Sequence, residues 1–330
     1  MSRRAVAWLV LIVAGIGAVV ASLLVGEGAL DDPEMRSTYL HLRGWRLANS
    51  MLAGSALSVG GVLVQGLFRN PLASPSILGT TAGASLGGAL VILLWNTLLA
   101  GWLPTWMPAE LAMPLGCLLG AWGALLVLLA VTGRRSGVVA LLLTGFILSS
   151  LFLSVLGLLT SLAQESWELG RAVVAFTLGG VDTKGARHVA LALPLVVLGT
   201  GAALGWSRHL DALLAGEDEA ASLGVDVPQV RRWVITWTAT LTAAAVAIGG
   251  NLGFVGLVVP HALRPLVGVS HRQLLPASLV GGAVFVAWAD VLTRVMPARG
   301  AVPLGVVTGL IGAPVFLVLL ARASRAGRLG

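Results

Sequence analysis

"RNPLASPSILGTTAGASLGG", Arg69 to Gly88, is the stretch on which the reading of this chain turns. It joins two apolar blocks, Leu47 to Leu67 and Thr80 to Ala100, each close to the ~20 residues a helix needs to cross the hydrocarbon of a bilayer. Asn70, Pro71 and Pro75 disfavour helix and Arg69 is charged, so the chain stops, turns and restarts here. A membrane-seeking chain places such residues where a span ends.

The rest of the sequence repeats that pattern. Hydrophobic residues make up 57% of the 330 and charged residues 11%, against roughly 45–50% and about 25% in soluble domains. Further apolar blocks run over Ala5 to Val25, Leu111 to Val131, Val138 to Thr160, Val189 to Trp206, Trp233 to Ile248, Phe254 to Val267, Leu274 to Ala289 and Pro303 to Ala321, ten in all. The Phe254 to Val267 block is short and holds Pro260, His261, Arg264 and Pro265. A broken helix survives at membrane depth only where protein or a water-filled cavity surrounds it, which marks this block as a candidate working region. The expected fold class is an all-α integral membrane protein of about ten transmembrane helices in a single domain, 1–330.

Ala5 to Val25 follows Arg3 and Arg4 but exceeds the ~7–15 apolar residues of a signal peptide, so it reads as a retained first helix. The single cysteine, Cys117, lies inside an apolar block and offers neither a disulfide framework nor a metal site. A net charge of +7 does not point to nucleic acid, because the basic residues are scattered singly between spans. With ten spans and a cytoplasmic N-terminus, thirteen basic residues fall inside and eight outside, so both termini are expected in the cytoplasm.

Within the blocks, Gly83 and Gly87, Gly116 and Gly120, and Gly305 and Gly309 recur at four-residue spacing, which lets helix backbones approach closely in lipid. The longest polar interruption, "SRHLDALLAGEDEAASLGVDVPQVRR" at Ser207 to Arg232, suggests a short surface helix. Gly216 precedes Glu217, Asp218 and Glu219, which suit a helix N-terminus; Ala220, Ala221 and Leu223 give an apolar face, and Gly224 a stop. On the other side, Arg43 and Arg46 are three apart beside Trp45 and share a face if the second helix starts early.

Several chemistries are excluded. The one lysine, Lys184 in "VDTKGAR", is in no phosphate-binding loop, and no histidine pair has the H-E-x-x-H spacing of zinc proteases. "GASLG", Gly83 to Gly87, matches the G-x-S-x-G of serine hydrolases by pattern, but Ser85 lies in a membrane block without the strand-to-turn context that chemistry needs.

"GSALSVGGVLVQGLFRNPLASPSILGTTAGA", "GNLGFVGLVVPHALRPLVGVSHRQLLPAS", "ADVLTR" and "VPLGVVTGLIGAPVFLVLL" resemble the permease subunits of bacterial ABC importers for iron chelates and vitamin B12, across about Leu42 to Arg322. The resemblance implies a type II ABC importer permease: ten helices, with inverted repeats over about 47–160 and 233–321 and a cytoplasmic coupling segment over about 207–232. It implies that Asn70 to Gly79, with Asn70, Pro71 and Gly79, and Gly253 to Arg264, with Pro260, His261 and Arg264, are structural segments that end equivalent helices on opposite sides of the membrane. "RNPLASPSILG" is then a re-entrant cytoplasmic turn in which Asn70, Ser74 and Ser76 satisfy backbone groups that lipid cannot.

By the same resemblance, Arg43, Arg46 and Arg294 receive acidic side chains of a periplasmic or lipoprotein substrate-binding protein. Trp45 stands where the family usually has proline. Gly216, Glu217, Asp218, Glu219, Ala220, Leu223 and Gly224 form the coupling helix that fits a cleft on the ATP-hydrolysing subunit. Ser136, Val138 and Val139 fall at the cytoplasmic gate, where an apolar constriction can close by dewetting. The implied partners are two copies of the ATPase, which carry ATP and magnesium, a second permease copy or homologue, the binding protein and membrane lipid. The chain itself is expected to be no enzyme and to hold no cofactor or metal. The expected location is the bacterial inner membrane and the expected cargo an iron siderophore or heme, with vitamin B12 as the alternative. A rival of another class, an ion-coupled secondary transporter, would want acids along a pathway, and the blocks hold essentially Asp290, at one end.

Overall fold

The computed structural model describes residues 2–26, 31–95, 109–133, 137–296 and 302–325. They form an all-helical bundle. The helices are α1 (Arg3–Leu24), α2 (Pro33–Leu67), α3 (Thr80–Leu94), α4 (Ala109–Thr132), α5 (Val138–Ala163), α6 (Trp167–Leu178) and α7 (Ala186–Gly205). After them come α8 (Ser207–Leu213), α9 (Glu217–Ser222), α10 (Val227–Gly249), α11 (Val255–Val267), α12 (His271–Val295) and α13 (Leu304–Arg325). Seven of these, α1, α2, α4, α5, α7, α12 and α13, are long and apolar enough to cross a bilayer. The 23-residue α10 and the shorter apolar α3 and α11 bring the number to ten.

Starts and stops follow local chemistry. Ser2 accepts a hydrogen bond from the Ala5 amide at 3.2 Å to open α1. Asp32 does the same for Glu34 at 3.0 Å, with Pro33 at the first turn of α2, so α2 begins fourteen residues before the apolar block starting at Leu47. That early start brings Arg43 and Arg46 onto the helix. Between α2 and α3, the Asn70 side chain accepts from the Leu72 amide at 2.9 Å, Pro75–Leu78 forms one 3₁₀ turn, and Gly79 takes the left-handed conformation that admits α3.

α2 and α12 form the buried centre, with 83% and 72% of their apolar windows enclosed, and pack on each other more extensively than any other pair. Their contact is backbone to backbone: a Cβ on Gly54 would collide with the Gly282 carbonyl. Gly83 and Gly87 of α3 meet Gly120 and Gly116 of α4 in the same way. The third expected pair divides. Gly305 packs against the carbonyls of Leu178 and Asn251, while Gly309 meets nothing within 4 Å.

α11 runs unbroken over Val255–Val267 despite Pro260 and Pro265, and the interruption expected within it falls in the turn before it. α10 ends at Gly249, level with Ala53 of α2, and the chain turns back through Asn251 and Phe254 before α11 begins. Inside the bundle the exposed backbone of this turn finds partners, since Gly180 donates to the Gly249 carbonyl at 2.9 Å. α6 lies in a stretch that sequence reading leaves as connection: Gly170, Val173 and Phe176 form its one buried face beneath Glu168 and Arg171.

Candidate functional site

One end of the bundle gathers Arg43, Arg46 and Arg294. Arg43, only 6% exposed, donates to the carbonyls of Leu23 at 2.8 Å, Leu24 at 3.2 Å and Gly26 at 3.1 Å. Arg294 donates to the carbonyls of Ser22 and Val25, both at 2.8 Å, and to the Ser22 hydroxyl at 2.7 Å. Two guanidinium groups therefore satisfy the open C-terminal carbonyls of α1, as basic side chains do at helix ends. Arg46 and Arg294 both bond Asp290, which is fully buried; Arg46 reaches it at 2.8 Å. Arg46 also pairs with the half-exposed Asp182 at 2.7 Å and donates to the Thr293 hydroxyl at 3.3 Å. The three arginines converge, but they face acceptors of the bundle itself. Asp182 drew no attention in the sequence, because nothing local links it to Arg46.

At the opposite end the two segments that the resemblance places on opposite sides of the membrane meet instead at one side, because α11 packs along the last turns of α2. Arg264 of α11 donates to the Gln65 side chain of α2 at 2.9 Å, and His261 reaches the backbone of Pro71. Asn70 and Pro71 thus belong to one assembly with His261 and Arg264, while Gly79 packs against α5 at Gly145 and Leu148. Pro260 lies buried inside α11.

The Ser207 to Arg232 segment forms α8, α9 and the first residues of α10, Val227 to Arg232. Gly216 and Gly224, with φ of 144° and 82°, bracket the six-residue α9. Ala220 is buried against the bundle, whereas Asp218, Glu219 and Leu223 point outward, Leu223 with 72% of its surface exposed. Glu217 pairs with Arg231 at 2.9 Å. Leu214, also exposed, flanks the same surface. α8 is tied to α12 by Asp211, which accepts from the Ser270 hydroxyl at 2.7 Å, the His271 amide at 2.8 Å and the His271 ring at 2.6 Å. Burial works to raise the Asp211 pKa, but the hydrogen bonds from His271 and Ser270 together outweigh it and hold the carboxyl below its ordinary value. Sequence reading missed this joint, whose partners stand 60 residues apart.

Of the gate residues, Val138 packs partly into the core and Val139 is 77% exposed at the first turn of α5; Ser136 lies outside the described residues. Between α3 and α5, a half-open cavity of about 290 Å³ has Ser76, Thr81, Ser85, Ser149 and Asn251 in an otherwise apolar wall that includes the exposed Phe146. Ser85 sits within α3, not at a strand-to-helix elbow, so the hydrolase pattern has no structural footing.

A bundle of ten apolar helices, interrupted between α10 and α11 and carrying a protruding acidic helix, is the architecture of a polytopic membrane protein. Residues 5–322 match the FecCD transport family, and the chain belongs to it. It is 38% identical over 288 residues to the Fe(3+) dicitrate transport system permease protein FecD of Escherichia coli, covering 86% of each chain. It is 33% identical to the hemin transport system permease protein HmuU of Yersinia pestis, over 94% of this chain and 90% of the relative. A solved inward-facing structure assigned to a metal-chelate type ABC transporter superposes with a TM-score of 0.84 at 30% identity, over 95% of this chain and 98% of that one. The chain is a multi-pass permease subunit of an ABC importer, not a catalytic subunit.

Proposed function

We propose that this permease carries a metal chelate, an iron siderophore or heme, handed over by a substrate-binding protein and driven by two ATPase subunits beneath it. The observation that carries the cargo class is the match of residues 5–322 to the FecCD transport family; the mainly apolar cavity, with the hydroxyls of Ser76, Thr81, Ser85 and Ser149, the Asn251 amide and no charged side chain, supports it. Such a lining suits the outside of a chelate whose metal is already wrapped, whereas a bare cation would need carboxylates. Vitamin B12, likewise a wrapped metal, is the alternative cargo. ATP and magnesium belong to the partner subunits.

In this reading the chain lies in the inner membrane with both termini in the cytoplasm, and 47–160 and 233–321 are its inverted repeats. α9, with Glu217, Asp218, Glu219 and Leu223, enters the ATPase and transmits its closure through α8 and Asp211 to α12. The second permease copy or homologue covers α5, whose Val139, Leu143, Phe146 and Ile147 are exposed, and Val138 and Val139 with Ser136 form the gate between the two copies. The binding protein docks at the arginine end. There an acidic side chain competes with Asp182, the exposed partner of Arg46, while Arg43 and Arg294 keep the end of α1 in place.

The test is uptake of a radiolabelled ferric siderophore, and separately of heme, into proteoliposomes holding the assembled permease and ATPase with binding protein added. Accumulation that requires ATP and the binding protein is expected. Uptake that proceeds without nucleotide, or that follows a proton or sodium gradient, would overturn the reading.

A further inference from the structure

Where α7 gives way to α8, a cavity of about 500 Å³ is walled by Leu204, Gly205, Ser207, Arg208, His209 and Arg272. Arg208 and Arg272 are exposed and pair with no carboxylate among the described residues. The carboxylate on the same short helix, Asp211, is already engaged by Ser270 and His271 and does not neutralise them. Two positive charges thus frame one hollow, with the His209 ring in its wall.

Its surroundings identify the anion's carrier. α7 is an apolar helix of spanning length that ends at Gly205, so the cavity lies where hydrocarbon meets headgroups. The His209 ring rests on Trp206 at 4.7 Å, Trp206 stacks on Trp233 at 6.1 Å, and Trp233 on Trp237 at 6.4 Å. Tryptophans gather at that depth because their rings suit the membrane interface. Above the cavity, Val197, Leu198 and Leu204 leave an exposed apolar strip on α7. An acidic protein surface would need the arginines but not the strip.

We propose that this cavity is a binding site for an anionic phospholipid, with Arg208 and Arg272 holding the headgroup phosphate and an acyl chain lying along Leu204 and Leu198. Basic pockets beside membrane helices take such headgroups. The bound lipid bridges α8 and the start of α12, the two elements that Asp211 also joins.

Native mass spectrometry of the full-length protein, titrated with phosphatidylglycerol or phosphatidylcholine, tests this. The wild type should retain phosphatidylglycerol in preference by about thirtyfold, the equivalent of two basic contacts at a membrane surface. The double variant Arg208→Gln, Arg272→Gln should lose most of that preference, and Arg208→Lys, Arg272→Lys should keep most of it, which separates lost charge from lost fold. A preference unchanged in the glutamine variant overturns the proposal. So does displacement of the lipid by millimolar inorganic phosphate, which would make the ligand a soluble anion. Loss of ATPase-subunit binding with the lipid preference intact would assign the arginines to a protein partner and overturn it equally.

Discussion

At the arginine end, Asp290 is fully buried and held by both Arg46 and Arg294, whereas at the opposite end Glu217 keeps more than a third of its side chain in contact with solvent and is held by Arg231. The first arrangement sits in a medium where removing a partner leaves a charge with no water to receive it. The second sits where water screens most of the attraction. One end is therefore a lock built into the fold, and the other leaves its charge and apolar surface available to a partner. The difference assigns stability to one end and exchangeable contact to the other.

The sharpest way to break that contrast is Asp290→Ala. Both guanidinium groups lose their shared buried acceptor, and the expected loss is about 3–5 kcal/mol of stability, read from thermal or denaturant unfolding in detergent. If Asp290→Ala unfolds at the wild-type midpoint, the lock does not exist.

Next in size is the helix crossing beneath the lock. Gly54→Val puts a Cβ against the Gly282 carbonyl, which is backbone and has no rotamer to yield. A cost of about 1–3 kcal/mol is expected, with α2 and α12 pushed apart. Gly309→Ala, which meets nothing within 4 Å, should change stability little by comparison in the same assay.

The Asp211 joint, at the same end as α9, is pH-dependent. Its carboxyl is held below the ordinary value, so its contribution is complete above about pH 4 and is lost as pH falls through the lower folded value. Asp211→Asn should cost about 1–2 kcal/mol at pH 7, in the range for losing a helix cap, and nearly nothing at pH 2. A wild-type advantage that persists at pH 2 would contradict the assignment.

Much of this architecture is legible in the linear chain because lipid imposes long apolar blocks, and prolines, glycines and charges must mark their ends. The Arg69 to Gly79 turn, the bracket of Gly216 and Gly224, and the shortness of α11 can all be read that way. α6 escaped because Glu165, Glu168 and Arg171 made its stretch look like a loop, while its buried face is only Gly170, Val173 and Phe176. The lock escaped for another reason. Arg46 and Asp290 stand 244 residues apart, and periodicity gives the face a residue occupies but never the partner across it. The Asp290–Arg294 pair is legible from its four-residue spacing with the acid first, whereas the bonds of Arg43 and Arg294 to α1 and of Arg46 to Asp290 follow only from the packing.

The smallest effect on the fold belongs to α9, and there the contrast between the ends becomes a statement about function. Glu217→Gln removes a solvent-screened pair and should shift stability by no more than about 0.5 kcal/mol. Leu223→Asp should cost the fold as little, since the side chain is 72% exposed. In the assembled importer, however, a leucine exposed in the isolated chain becomes buried if the ATPase covers it, and burying one is worth about 1.5–3 kcal/mol. Leu223→Asp should therefore weaken association with the ATPase subunit by at least about tenfold, measured by pull-down titration or light scattering, while unfolding at the wild-type midpoint. Equal association would mean that the apolar tip of α9 faces water in the working complex, and that the force of ATP hydrolysis enters the bundle elsewhere.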